Sequence, residues 1–219
     1  MLLKKKSFPI LIALSIFSFF INQFFGYRGV FPIDSFAFFD TSYRITIGEV
    51  PIKDYWIASG LTIDLVQAII FSIFGVSWHT YLLHASIFNV LITVSTYLLF
   101  EQIGLNKNIN LLMSVCVSIL AYTSSGTPFV DHHSTFLSLL ALYSLILAIN
   151  TNRIIFWRLI PPLLLLAFFS KQVPASFFVF SSFFIILYYL LFAKNNLRNN
   201  IFKNLIYSSL FSVVFVIVL

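Results

Sequence analysis

Charged residues are scarce in this 219-residue chain and make up only 9% of it. Soluble domains typically have about 25% charged and about 45–50% apolar residues. Here 60% of the residues are hydrophobic and the mean hydropathy is +0.99. The lone Cys116 excludes a disulfide framework and a paired-cysteine site. Phosphate-binding glycine loops and GxSxG are also missing, so nothing indicates a soluble nucleotide-binding domain. Lipid must therefore be the solvent for most of this chain.

The sequence contains long apolar runs. A helix needs about 20 residues to cross the hydrocarbon core. The first run follows three lysines and lacks a small-residue cleavage site, so we interpret it as a retained helix with its lysines inside. Eight runs are candidates: Phe8–Phe25, Ile57–Val76, Thr80–Phe100, Ile109–Tyr122, Ser134–Ile149, Ile154–Phe169, Val173–Ala193 and Leu205–Leu219.

The 13 basic residues decide which runs cross. If all eight crossed, nine basic residues would lie outside and four inside, the reverse of the positive-inside rule. If Ile57–Val76 stays at the surface, nine lie inside and four outside. That run also contains Asp64, which would be costly at the bilayer centre. We therefore predict that this segment does not cross.

The predicted fold is all-α, a polytopic transmembrane bundle with about seven crossings. Residues 1–219 form a single transmembrane domain, and residues 26–79 form its first outer, periplasmic loop with two juxtamembrane helices. The N-terminus is cytoplasmic. Six acids then lie outside and only Glu101 lies inside, which suggests a site on the outer face.

The first outer loop supplies several candidate site residues. Pro32 and Asp34 mark a helix start, and Gly48 marks its end. Asp34 is either an N-cap or a general base at the membrane surface. Asp40 and Arg44 are spaced to pair with each other, and Asp54 is expected to order the loop.

The second outer loop, SSGTPFVDHHST, concentrates polar groups in an apolar chain. Asp131 is either a base that serves the acceptor or a cap for the next helix. Since adjacent His132 and His133 rarely bind one ion together, and a metal needs three or four ligands, no metal site is expected. Lys171 in the third outer loop either snorkels or holds a lipid phosphate. His84 is expected to bond a neighbouring helix.

Part of the chain resembles a known family. The run IDSFAFFDTSYRITIGEVPIKDYWIASGLTIDLVQAIIFSIFGVS is similar to the first periplasmic loop of GT-C superfamily membrane glycosyltransferases, which include aminoarabinose transferases and protein O-mannosyltransferases. The run FFSKQ resembles their lysine-containing segment after the fifth helix. The positions that carry the resemblance are Asp34, Arg44, Gly48, Pro51, Asp54, Tyr55, Phe74, Gly75 and Lys171.

The resemblance implies an enzyme, a glycosyltransferase in the inner (plasma) membrane with its active face outside. Asp34 would be the catalytic base, and Asp131 a second functional acid. The donor would be a polyprenyl-phosphate sugar, and the acceptor a glycan, lipid or protein. The residues expected to bind substrate or its phosphate are Arg44, Lys53, Asp54, Lys171, His132 and His133. No cofactor is expected, with a divalent metal as the alternative, and no nucleic-acid partner is expected.

The chain departs from the family pattern at two positions, and two other classes of protein remain as alternatives. Ser35 stands where many relatives have a second acid, and Gly60-Leu61 stands where many have Gly-Pro. The chain is expected to be the N-terminal module of a longer protein. The alternatives are a transporter or flippase for lipid-linked sugars and an inactive, truncated membrane protein.

Overall fold

The computed structural model describes residues 7–29, 32–57 and 60–218, without the side chains of Pro32 and residues 215–218. Nine α-helices account for most of these described residues, so the all-α prediction is confirmed. They are α1 Phe8–Gly26, α2 Pro32–Thr46, α3 Leu61–Phe74, α4 Trp78–Gln102, α5 Lys107–Leu120, α6 Val130–Thr151, α7 Ile154–Ser170, α8 Gln172–Phe192 and α9 Asn195–Val218, with a 3₁₀ turn at Tyr122–Ser124 between α5 and α6.

Four helices of the described chain are long and apolar enough to cross a membrane: α1, α4, α6 and α8. At about 1.5 Å per residue, their 19 to 25 residues match a hydrocarbon core of about 30 Å. The four long helices are those of a membrane protein. Helices α3 and α5 each have 14 residues and reach about 21 Å, so length does not distinguish these two, and the surface position of α3 stays a prediction from the charge distribution.

The chain divides into two compact units between His133 and Ser134. In the first unit, α1 packs on α4 through an apolar cluster that includes Leu11, Leu14 and Tyr97, and through polar side chains. Asn89 of α4 donates to the carbonyls of Ser18 and Ser118, each at 2.9 Å, and accepts from the backbone N–H of Tyr122 at 3.2 Å. Ser18 also bonds Thr93 at 3.0 Å. Small and hydrogen-bonding residues hold helices together where lipid supplies no hydrophobic drive.

Two glycines let α1 approach the loop before α6. A Cβ at Gly126 would lie 2.6 Å from the Cα of Gly26, and Gly126 has a φ of +70°. A Cβ at Gly26 would lie 2.8 Å from the carbonyl oxygen of Gly126. Both positions therefore require glycine, one for its backbone angle and both for the close contact.

Helices α2 and α3 bury both apolar and polar side chains and expose several large apolar ones. Phe38, Ile63, Phe71, Tyr81 and Val130 form the aromatic-rich core between these helices, α4 and the start of α6. The exposed apolar side chains include Ile33, Phe36, Ile69, Ile73 and Phe74. Exposed apolar side chains of this kind are typical of helices that lie in the membrane interface. As predicted, α2 begins at Pro32 and ends just before Gly48, whose φ is +91°.

In the second unit, α7 contains two consecutive prolines and packs on α9. Proline has no N–H, so Pro162 leaves the carbonyl of Arg158 without its intrahelical donor. Ser208 of α9 donates its hydroxyl to that carbonyl at 2.5 Å, and the Arg158 Nε donates to Asn204 at 2.7 Å. Residues of α7, α8 and α9 also line an open apolar cavity of about 750 Å³.

Replacing Ser208 by alanine is expected to destabilise the α7–α9 pair. The Arg158 carbonyl would lose a donor that its own helix cannot supply, at a cost of about 0.5–1.5 kcal/mol. Detergent-solubilised protein would show this as a lower midpoint in SDS-induced unfolding. The neighbouring, exposed Ser209→Ala serves as the control and should change stability by less than about 0.5 kcal/mol. Equal effects of the two substitutions would contradict the assigned role of Ser208.

Candidate functional site

Asp34 lies in the first turn of α2, so it follows the helix start rather than capping it from outside. Its carboxylate is exposed and makes no hydrogen bond or ion pair with any residue that the structure describes. The adjacent Ser35 is buried and its hydroxyl bonds that of Thr127 at 2.9 Å. The start of α2 therefore packs against the loop that leads into α6.

Arg44 is held from two sides at the end of α2. Its Nε donates to Asp40 at 2.7 Å and its Nη1 donates to Glu49 at 3.0 Å. The predicted Asp40–Arg44 pair is thus confirmed. Arg44 also lies over the ring of Tyr55, with 5.7 Å to the ring centre. Hydrogen bonds first to Asp40 and then to Glu49 raise the pKa of Arg44. A lipid phosphate would have to displace these carboxylates to bind there.

Asp54 closes a tight turn after α2, which confirms its predicted loop-ordering role. Its carboxylate accepts from the backbone N–H of Val50 at 2.8 Å, and its own N–H donates to the Val50 carbonyl at 2.9 Å. Lys53, at the tip of this turn, has a largely exposed side chain whose amine is 4.0 Å from Asp54. Lys53 is therefore placed to meet an anionic group from outside.

The two adjacent histidines of α6 point to different surroundings. His132 is partly exposed, and its Nε2 and Nδ1 bond the hydroxyls of Ser124 at 3.1 Å and Ser125 at 3.2 Å. His133 is fully buried and faces the interior of the first unit. Asp131 lies in the first turn of the same helix and is partly exposed. Within the described ranges, no group of three or more histidine, cysteine or acidic side chains is arranged to hold a metal.

Buried side chains form a continuous polar chain in the first unit. The Tyr122 hydroxyl is hydrogen-bonded to His133 Nδ1. His133 Nε2 lies 2.9 Å from His84 Nε2, and His84 Nδ1 lies 2.9 Å from the Gln67 Oε1. All four side chains are fully buried. The predicted bond of His84 to a neighbouring helix is confirmed, but the sequence did not predict its partners.

Asp64 is a buried acid that the predicted site leaves out. It is 3% exposed, and the Thr41 hydroxyl donates to its Oδ1 at 2.8 Å. Burial raises the pKa of Asp64 to about 7, although the Thr41 hydrogen bond acts in the opposite direction. In the sequence, the feature that indicates a buried acid is Asp64 standing alone in the apolar run Ile57–Val76.

Stability should fall as pH rises through the range in which Asp64 ionises. Its pKa is raised from 3.8 to about 7 on folding, so between these values the folded state binds more protons than the unfolded state. The contribution is complete below about pH 4 and is lost by about pH 7, at up to about 1.4 kcal/mol per pH unit. Thermal unfolding in detergent from pH 4 to 8 measures this slope.

Asp64→Asn should remove that pH dependence, because the amide still accepts from Thr41 and does not ionise. Asp40→Asn, which alters an exposed acid, should retain the wild-type slope. Parallel stability curves for the wild type and Asp64→Asn would contradict the buried, titrating carboxylate.

Lys171 lies in the second unit, in the break between α7 and α8. Its backbone N–H donates to the Ala167 carbonyl at 3.0 Å, and its carbonyl accepts from the Ser134 hydroxyl at 2.8 Å. The Lys171 side chain is partly exposed. The role of Lys171 as a phosphate ligand stays a prediction. The same holds for a site that it would share with Asp34 and Asp131.

No protein-family model matches the chain, and no curated protein or solved structure is detectably similar to it. The structure defines an all-helical protein with the helices of a membrane protein.

Proposed function

We propose that the chain is a membrane glycosyltransferase that moves a sugar from a polyprenyl-phosphate donor to an acceptor on the outer face of the plasma membrane. In this proposal α1 and α4–α9 make seven crossings and the N-terminus is cytoplasmic. Helices α2 and α3 then lie in the outer interface. The acceptor is a hydroxyl of a glycan, lipid or protein.

One observation supports the proposal. The Asp34 carboxylate is exposed and has no hydrogen-bond partner among the described residues, whereas the other acids of α2, α3 and the turn between them form hydrogen bonds. Asp40 and Glu49 bind Arg44, Asp54 binds the Val50 N–H, and Asp64 accepts from Thr41. Asp34 makes no such contact within the described part of the chain. A general base must be able to reach the proton that it removes, and only an uncommitted carboxylate can do so without first breaking a bond.

The surroundings of Asp34 suit this chemistry. The Ser35–Thr127 bond fixes the start of α2 against the loop that leads to Asp131 and His132. These two residues are suited to orienting the acceptor, since both are polar and partly exposed. Lys53 offers a positive charge for the departing lipid phosphate. The reaction would invert the sugar carbon, because the acceptor oxygen attacks opposite the phosphate.

Sugar transfer is tested with the full chain in proteoliposomes that contain labelled polyprenyl-phosphate sugars and a panel of hydroxyl acceptors. Labelled acceptor, formed only in the presence of the protein, is the expected result. Movement of intact donor lipid across the bilayer without labelled acceptor would instead establish a flippase. Neither product, from protein that unfolds cooperatively, would overturn the enzyme proposal and favour a structural membrane subunit.

A further inference from the structure

The second unit concentrates positive charge at one end of its helices. Residues 134–219 include six basic residues and no acidic residue. Among the described residues, no carboxylate forms a salt bridge with the five that lie near the end where α7 begins, α8 ends and α9 begins. These five residues are Arg153, Arg158, Lys194, Arg198 and Lys203. Their charge is therefore available to an anion from outside the described chain.

Side-chain contacts hold the three helices together at this end. The Tyr189 hydroxyl of α8 donates to the Asn152 Oδ1, just before α7, at 2.8 Å. The Tyr189 ring also packs on that of Trp157, with 5.4 Å between the ring centres. Arg158 of α7 donates its Nε to Asn204 of α9 at 2.7 Å. The basic residues of the three helices thus share one end of a packed unit.

A buried amide orients the Arg158 side chain. Asn204 is 6% exposed, and its Nδ2 donates to the carbonyl oxygen and the Oδ1 of Asn200 at 2.8 and 2.9 Å. This leaves the Asn204 Oδ1 to accept from the Arg158 Nε. Arg158 is exposed, and its Nη1 and Nη2 have no hydrogen-bond partner among the described residues. Two adjacent N–H donors of a guanidinium match two oxygens of a phosphate.

The open apolar cavity between α7, α8 and α9 begins beside these basic residues, and we call it the α7–α9 groove. The lining residues nearest to the basic end are Ile160 on α7, Leu190 on α8 and Phe202 on α9. Arg158 precedes Ile160 by two positions. Lys194 follows Leu190 by four positions, and Arg198 precedes Phe202 by four. On all three helices, therefore, positive charge stands at the same end of the groove.

The groove has about the depth of one membrane leaflet. It extends from Val179 to Leu190 along α8 and from Phe202 to Val213 along α9. Eleven helical steps cover about 17 Å, and half of the hydrocarbon core is about 15 Å thick. Lining side chains such as Phe183 and Leu210 are more than half exposed, so the groove is open from the side. Its length and opening suit the hydrocarbon chain of a lipid.

We propose that the α7–α9 groove is a binding site for one anionic phospholipid. The acyl chains lie in the groove, and the lipid phosphate accepts hydrogen bonds from the Nη1 and Nη2 of Arg158. Lys194 and Arg198 add positive charge around the headgroup. Basic pockets between membrane helices are typical sites for anionic headgroups. This site does not depend on the proposed sugar transfer.

The positive-inside rule is a simpler explanation for the basic residues, but it accounts for less. It predicts on which side of the membrane lysine and arginine lie. It does not require a guanidinium that a buried amide orients, or an apolar groove that begins two residues further along the same helix. A lipid site requires both features.

The headgroup is tested by native mass spectrometry of the full chain in detergent, titrated with phosphatidylglycerol or with phosphatidylcholine of the same acyl chains. The first phosphatidylglycerol should bind the wild type at least about fivefold more tightly, because only its headgroup carries net negative charge. Equal affinities for the two lipids would overturn the proposal, and this comparison needs no substitution.

Arg158→Gln should remove most of that preference and leave the affinity for phosphatidylcholine within about twofold. Lys107→Gln is the matched control, since it removes an exposed basic residue at the start of α5, in the first unit. It should retain the wild-type preference. An Arg158 variant that unfolds cooperatively and keeps the full preference would show that Arg158 does not hold the phosphate.

The apolar part of the site is tested by filling the groove. Ser209 lines it, and Ser209→Trp should weaken the binding of both lipids at least about tenfold. Ser181→Trp is the control, because Ser181 is an exposed serine of α8 that does not line the groove. Wild-type lipid binding by Ser209→Trp would overturn the groove as the lipid site, as would a second copy of the chain that binds there in place of lipid.

Discussion

Replacing Asp34 by asparagine is expected to reduce sugar transfer at least about 100-fold, the lower end of the range for loss of a general base. The amide has nearly the same shape but cannot take the acceptor proton. Because Asp34 is exposed and binds no described residue, its replacement should leave folding unchanged. The loss should therefore appear in kcat, measured with labelled donor in proteoliposomes.

Asp40→Asn is the control on the same helix. It removes an exposed acid but leaves Arg44 bound to Glu49, so transfer should fall by less than about fivefold. Wild-type transfer by the Asp34 variant would show that another group accepts the proton. Asp131→Asn would then be the next variant to assay.

Replacing Gly126 by alanine is expected to cost about 2–5 kcal/mol of stability. A left-handed backbone angle of +70° costs a residue with a Cβ about 1–2 kcal/mol, and forcing a Cβ into a packed site adds about 1–3 kcal/mol. The added Cβ would lie 2.6 Å from the Gly26 Cα, where backbone cannot easily move away. SDS-induced unfolding measures the loss.

Substitutions at two other glycines separate the cost of the backbone angle from the cost of the steric clash. Gly48 has a φ of +91° with nothing within 4 Å of an added Cβ, so Gly48→Ala should show the backbone cost alone. Gly29 also has open space around its Cβ position, and Gly29→Ala should be close to neutral. If Gly126→Ala costs no more than Gly48→Ala, α1 and the 126 turn do not approach as closely as described.

Local features of the first outer loop could be predicted from sequence because they depend on near neighbours. These features involve residues fewer than about ten positions apart: the start of α2 at Pro32, its end before Gly48, the Asp40–Arg44 pair and the hydrogen bonds of Asp54 to Val50. Helix propensity, i,i+4 spacing and glycine conformation determine such features without the rest of the fold.

The chain from Tyr122 to Gln67 could not be predicted in that way. Its links join residues 11, 49 and 17 positions apart in sequence, and any of several faces of α3, α4 and α6 could have met. Adjacent His132 and His133 look equivalent in the sequence. Their 100° separation around α6 sends one towards the surface and the other into the interior.

The amino-acid sequence by itself determined that lipid is the solvent and that the chain is helical, and it predicts that Ile57–Val76 does not cross. Composition and the distribution of basic residues are enough for this, because both can be counted along the chain without tertiary contacts. Only the tertiary structure decided the surroundings of Asp34 and Asp64 and the partners of the buried histidines. Long-range packing left Asp34 exposed, buried Asp64 against Thr41 and placed His84 beside His133.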